Sequence, residues 1–323
     1  MTAPAVTSDR TGTRPTVSVI IAAFSSERWD YLREAVASVT AQTSPAPETI
    51  VVIDHNPDLL ARARRELAAV VVIPNAGARG ASGARNTGVA HSRGEVVAFL
   101  DDDTAATSGW LDGLRAHFAD PGVVGVGGRL DPLWATARPR WFPGEFGWTI
   151  GVSYTGMPEQ TARVRNVWSS NMAVRRAAFD AAGGFREDFG KVGNVSRPED
   201  TDLCMRVTGA WLYDPACAVS HRVPLQRVRF RYFLVRCYNE GRGKAGLAAL
   251  NGAETSTSEE RGYATRVLPR AILRSLGEAL RGDAAGVLRG AAIIAGLGVA
   301  VAGFAVGGAA STLLRDARTA GAP

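Results

Sequence analysis

The sequence predicts an α/β fold with a mostly parallel central sheet flanked by helices. Two observations carry that expectation. Four short apolar runs, Val17 to Ala22, Ile50 to Ile53, Val70 to Ile73 and Val96 to Phe99, are rich in Val and Ile and read as strands buried on both faces. The segments between them have helical length and helical spacing. Alternation of this kind is a βαβαβαβ run, and its strands meet ligands at their carboxyl ends.

The elements follow in order. Leu32, Val36 and Val39 recur at helical spacing after the first strand. After Asn56, Pro57 suits a first helical position, and Leu60, Arg64 and Leu67 continue the pattern. Ser82 to Ser92 is the third helix candidate, with Gly94 beyond it. Val167 to Val174 reads as a returning strand, and Ser169, Ser170, Asn171 and Met172 in its path suggest a polar pocket, with a solvent-facing edge as the alternative. Six of the tryptophans, Trp110, Trp134, Trp141, Trp148, Trp168 and Trp211, are mostly core by default, with one or two free to stack on a ligand face.

A chain of 323 residues with 46% hydrophobic residues buries a sizeable core, which excludes a disordered protein. The net charge of +6 suits nucleotide phosphates, anionic lipid or nucleic acid, and does not choose among them. Cys204, Cys217 and Cys237 lie far apart without metal spacing, so a reducing compartment and ordinary packing are expected. Residues 1–16 lack the apolar stretch of a signal peptide and read as a loose tail on a cytoplasmic protein.

Leu100-Asp-Asp-Asp103 stands where the fourth apolar run stops. Three adjacent carboxylates repel one another, and a strand end that binds a divalent cation with its anionic cargo is where they are most easily kept. A nucleoside diphosphate is such a cargo. Gly77, Gly80, Gly83 and Gly88 follow the third strand, but their three-residue spacing is not the G-x-G-x-x-G order of a dinucleotide site. They let the chain turn tightly at a helix start, with Arg85 and Asn86 projecting from that helix toward a nucleotide. An exposed helical arginine is the plainer reading of Arg85.

With these residues assembled, the chain resembles the family 2 glycosyltransferases of the GT-A fold over about residues 17–222. The resemblance rests on Val17-Ser-Val-Ile-Ile-Ala-Ala-Phe-Ser25, on Asp54 after the second strand, and on Gly80 to Gly88 with Ala84-Arg85-Asn86. Phe99-Leu-Asp-Asp-Asp103 and Glu199-Asp-Thr-Asp-Leu-Cys-Met-Arg206 complete it. It implies a nucleotide-sugar half at 17–130 and an acceptor half at 131–222. It places Ala22, Phe24 and Asp54 around the base, makes Asp101 and Asp103 the D-x-D element of the donor site with Asp102 between them near the ribose, and puts Asp103 with His221 on a Mn2+ or Mg2+ ion. Arg85, Asn86 and Asn171 join the nucleotide-sugar contacts. Asp200 is implied as general base, with Glu199 in reserve, and Arg186 to Pro198 as a loop that covers the donor. Departures from the family's pattern stand at Ala22-Ala-Phe-Ser25, where P-x-Y-N is usual, and at Asp54-His-Asn-Pro57, where D-D-x-S is usual.

From Arg222 to Lys244, seven basic residues interleave with Phe230, Tyr232, Phe233 and Tyr238. This region, 223–285, reads as basic and helical, lying on an anionic membrane or packed on the catalytic domain; no nucleic-acid module accompanies it. Residues 290–310 carry no charge over 21 positions, enough for a bilayer span. An apolar helix over 286–315 is expected, membrane-associated, with 316–323 as a tail.

The expected function is inverting transfer of a sugar from a nucleotide-diphosphate donor, UDP-linked, to a hydroxyl of a glycan or polyprenyl-linked acceptor, at the inner face of the cell membrane. Two rivals stand beside it. A nucleotidyltransferase wants a basic phosphate loop near Ala22 to Ser26, which is missing. An idle sugar-nucleotide scaffold has no use for Asp200.

Overall fold

A computed structural model describes residues 14–192, 195–251 and 259–320. The expected tail at 1–16 falls mostly outside them. Thr16, within them, is held to Glu95 by its amide and hydroxyl.

The first half alternates as expected: β1 (Val17–Ala23), α1 (Trp29–Thr40), β2 (Glu48–Ile53), α2 (Pro57–Glu66), β3 (Val71–Pro74), α3 (Ala81–His91) and β4 (Val96–Asp101). Asn56 caps α2 by accepting from the Leu59 amide, with Pro57 in the first turn. Helix α3 starts behind Gly80, whose φ of 125° suits glycine alone.

The chain continues through β5 (Thr104–Ala106), α4 (Trp110–His117), β6 (Val123–Trp134), β7 (Ala162–Val164), β8 (Asn171–Arg175) and α5 (Arg176–Ala181). A hairpin of β9 (Gly190–Val192) and β10 (Val195–Arg197) leads to α6 (Glu199–Arg206) and β11 (Ala210–Val223). The main sheet has the order β3-β2-β1-β4-β8-β6-β11-β5, with β7 beside β11. Strands β3, β2, β1 and β4 pair in parallel, as does β6 with β11; β8 runs antiparallel to both of its neighbours, and β5 and β7 to β11. The α/β class with flanking helices is the expected one, and the sheet is mixed beyond β4.

Strict alternation along the central strands divides the core in two. Val17, Val19 and Ile21, with Val96, Ala98 and Leu100, face a cluster that takes Leu32, Val36 and Val39 from α1 and Leu111 and Leu114 from α4. Ile20, Val97 and Phe99 face the opposite cluster, with Val89 of α3, Phe179 of α5 and Leu203 of α6. This is the pattern of strands covered on both sides. Strand β3 departs from it, because it ends the sheet and leaves Val71 half exposed.

Two further expectations shift. The returning strand begins only at Asn171; Ser169 and Ser170 lie in the turn before it. The chain after Arg222 is first strand, then a short turn at Leu225–Val228, and becomes helical in α7 (Phe230–Asn251). Helices α8 (Leu268–Leu280) and α9 (Ala285–Ala320) follow. A third cluster joins Phe142, Phe146 and Val223 to Phe233 of α7, Leu268 of α8 and Ile293 of α9. The three cysteines are free and buried.

Gly88 lets α3 lie directly on the sheet. A methyl there would fall 2.5 Å from Cγ2 of Ile20 and 3.1 Å from Cγ2 of Val52. Gly88→Ala is expected to cost about 1 to 3 kcal/mol through overpacking, read as a lower denaturation midpoint at unchanged m-value.

Candidate active site

Asp101 closes β4 at the carboxyl end of the parallel strands, and the chain turns at once into β5. The Thr104 hydroxyl donates to the Asp101 carbonyl at 2.8 Å, which fixes that turn. Register then decides what faces Asp103. Thr104 of β5 stands opposite His221 of β11, and the Arg222 amide donates to the Asp103 carbonyl. The His221 Nε2 atom accordingly lies 3.4 Å from Asp103 Oδ1, with both side chains buried.

Cations surround the triplet. Arg28 reaches Asp102 at 2.8 Å and Asp103 at 3.2 Å, and Arg227 lies 3.6 Å from Asp103. Burial works against ionising Asp103, but the His221 hydrogen bond and the charges of His221, Arg28 and Arg227 hold its carboxyl down to about 2. Asp102 goes the other way: burial, reinforced by Asp103 and Asp101, pushes it up to about 7 against the pull of Arg28. The pair therefore offers one firmly ionised carboxylate beside one poised to change charge.

These donors fit a divalent cation. A carboxylate and an imidazole at the same point form a mixed oxygen and nitrogen set that divalent first-row metals accept, and Asp102 Oδ2 and His221 Nδ1 are buried without a hydrogen-bond partner. Asp103 and His221 are the residues that would hold the ion.

The second acidic group stands at the start of α6. Arg85, buried, donates to Asp101 at 2.7 Å and to Glu199 at 3.2 Å, so one guanidinium joins the strand-end acids to the helix-start acids. Asp200 accepts from the Thr201 amide at 2.7 Å. Burial, aided by Glu199, raises its carboxyl to about 7. Helix α6 is itself pinned: Asp202, fully buried, pairs with Arg206 at 2.8 Å and Arg186 at 3.2 Å, and Arg206 donates to the Gly184 carbonyl. Of the loop expected over the donor, residues 193–194 lie outside the described residues, and the flanking segments form the β9–β10 hairpin.

The remaining residues expected in the site fall out as follows. Ala22 pairs with Asp101 across the sheet, and Phe24 is 56% exposed with Arg28 above its ring at 5.4 Å. Asp54 accepts from Asn75 at 2.7 Å, from the Gly80 amide at 2.9 Å and from His55 at 2.8 Å, so it organises the glycine loop from the site's edge. Arg85 is not an exposed helical arginine.

Two residues do other work than expected. The Asn86 amide donates to the Phe185 carbonyl and accepts from the Phe185 amide, which ties α3 to the turn after α5. Asn171 is fully buried. It accepts from Trp110 Nε1 at 2.8 Å and donates to the carbonyls of Arg129 and Cys217, so no accessible polar atom remains for a sugar. Arg28 carries no signal of its own in the sequence, and Arg227 stands there only as one of the basic residues from Arg222 to Lys244. Only their position, five residues past β1 and six past His221, hinted at them.

The chain belongs to glycosyl transferase family 2, whose model matches residues 18–183. Among its relatives is the glucosyl-dolichyl phosphate glucuronosyltransferase of Haloferax volcanii, 32% identical over 237 residues, which are 71% of this chain and 76% of the relative. The pre-mycofactocin glycosyltransferase of Mycobacterium tuberculosis is 32% identical over 193 residues, 58% of this chain and 39% of that protein. The GT-A fold is shared with a mannosyltransferase from Pyrobaculum calidifontis solved with GDP-Man and Mn2+, at a TM-score of 0.55 and 18% identity over 88% of this chain and 86% of that one. Asp200 and His221 lie beyond the matched family segment.

Replacing Arg85 leaves Asp101 and Glu199 facing each other without their shared cation. Arg85→Met is expected to lower stability by about 3 kcal/mol or more, measured by urea unfolding. Loss of less than ~1 kcal/mol would show that the bridge carries little.

Proposed function

We propose that the chain is a metal-dependent inverting glycosyltransferase. It moves a sugar from a nucleoside diphosphate donor, UDP first among those to try, to a hydroxyl of a glycan or polyprenyl-linked acceptor at a membrane surface. The observation that carries this reading is the Arg85 bridge, which gathers the β4 acids and the α6 acids into one site. The names of the relatives support the acceptor class, and the Mn2+ and GDP-Man of the Pyrobaculum enzyme support the donor class and the ion.

In this reading Asp103 and His221 would hold the ion, which would supply positive charge against the departing diphosphate. Arg28 and Arg227 lie beside the same carboxylate, placed to bind diphosphate oxygens. Asp54, Ala22 and Phe24 border the base, Asp101 and Asp102 the ribose and diphosphate. Asp200 takes the proton of the acceptor hydroxyl as that oxygen attacks the anomeric carbon. Its raised pKa makes it a better proton acceptor than an ordinary aspartate. Attack comes from the face opposite the leaving group, so the configuration inverts. Glu199, held by Arg85, keeps the acidic pair in place.

Asp200→Asn is expected to reduce transfer by about 10³-fold or more, with donor affinity changed less than threefold, checked by product formation and calorimetric titration of nucleotide sugars. Transfer surviving in that variant places the base elsewhere. Because Asp200 must be ionised to act, the rate should rise with pH along an acid limb centred near 7. A pH profile flat from 5.5 to 8 would contradict the assignment. Donor hydrolysis should require Mn2+ or Mg2+ and fall to background in Asp103→Ala.

A further inference from the structure

The stretch Ala285–Ala309 of α9, with a mean hydropathy of 2.1 over its most apolar window, is long enough to cross a bilayer. Its inner face is closed to lipid. A methyl on Gly241 of α7 would lie 2.0 Å from the Ala300 carbonyl oxygen, one on Gly303 2.1 Å from that of Tyr238, and one on Gly286 2.1 Å from that of Ser275 in α8. Backbones in such contact leave no layer for acyl chains. Helix α7 carries Arg231, Arg236, Glu240, Arg242 and Lys244, and Lys244 pairs with Glu260 at 2.7 Å. Hydrocarbon on every side of α9 would take these charges in as well, at high cost.

The outer face is of another kind. Val287, Ile294 and Val301, two turns apart in succession, are all more than half exposed, with Leu288, Phe304 and Val306 beside them. At the corner between α8 and α9, Leu280 is 90% exposed, and Leu273 and Leu276 precede it on exposed positions of α8. Arg266, Arg270 and Arg281 are exposed along the same segment. Apolar side chains rimmed by guanidinium groups complement a leaflet whose surface carries phosphate charge.

We propose that α8 and α9 seat the protein in the plane of one anionic leaflet, the outer face of α9 and the Leu280 corner submerged, the inner face still bound to α7, and the chain not crossing the bilayer. This deepens the membrane-surface part of the proposed function and rests on it. A charged side chain on the submerged face must then abolish seating without touching the site.

The test is flotation of the full chain with vesicles of phosphatidylcholine, alone or containing phosphatidylglycerol. The expected results are flotation with the anionic vesicles, release by alkaline carbonate, at least a tenfold drop in bound fraction for Leu280→Glu and for Ile294→Glu, and a smaller drop for Arg270→Ala with Arg281→Ala. Resistance to carbonate would overturn the proposal in favour of a spanning helix. Undiminished flotation of both glutamate variants, or no flotation with either vesicle, would overturn it as well. Donor hydrolysis, followed without vesicles, tests the enzymatic reading separately and should be unchanged in both glutamate variants.

Discussion

Five carboxylates converge where the parallel strands end, and the fold around them is arranged to make that tolerable. Asp101, Asp102 and Asp103 come from one turn, Glu199 and Asp200 from another almost a hundred residues later. Arg85 sits between the two groups, and Arg28, Arg227 and His221 close around Asp103. Like charges this near destabilise a compact state unless cations neutralise them. The turn before α1, helix α3, strand β11 and the turn before α7 each bring in one of those cations.

The same compensation separates the carboxyls by function. Asp103 is held ionised, whereas Asp102 and Asp200 are raised to about 7 by burial and by their acidic neighbours. Different environments push identical side chains toward different tasks. A ligand-holding anion and a proton acceptor are thus both available within one site at neutral pH.

The fold was largely legible in the sequence where one strand's burial pattern decided the matter: β1, β2 and β4 announced themselves through Val and Ile, and α2 through Asn56 and Pro57. The strand β8 was half legible, because the residues before Asn171 are apolar or small without being paired. Its antiparallel direction, which makes the sheet mixed, depends on chain reversal over the long segment from 135 to 170, and no local residue encodes that. In the site, the Asp triplet and its cluster with Glu199 could be read from motif and position. Arg28 and Arg227 could not, since an arginine's partner is a matter of tertiary approach. Asn86 and Asn171 show the converse: their amides are engaged by the Phe185 backbone and by Trp110 with the carbonyls of Arg129 and Cys217, partners that only tertiary approach supplies.

The seam between α7 and α9 makes the last helix hard to remove. Removing α9 would uncover the bare backbone at Gly241 and the aromatic side chains of Phe146 and Phe233, which lie against Gly296. The C-terminal helix is thus no detachable anchor but a wall of the catalytic body, and a shortened chain would trade one greasy surface for another.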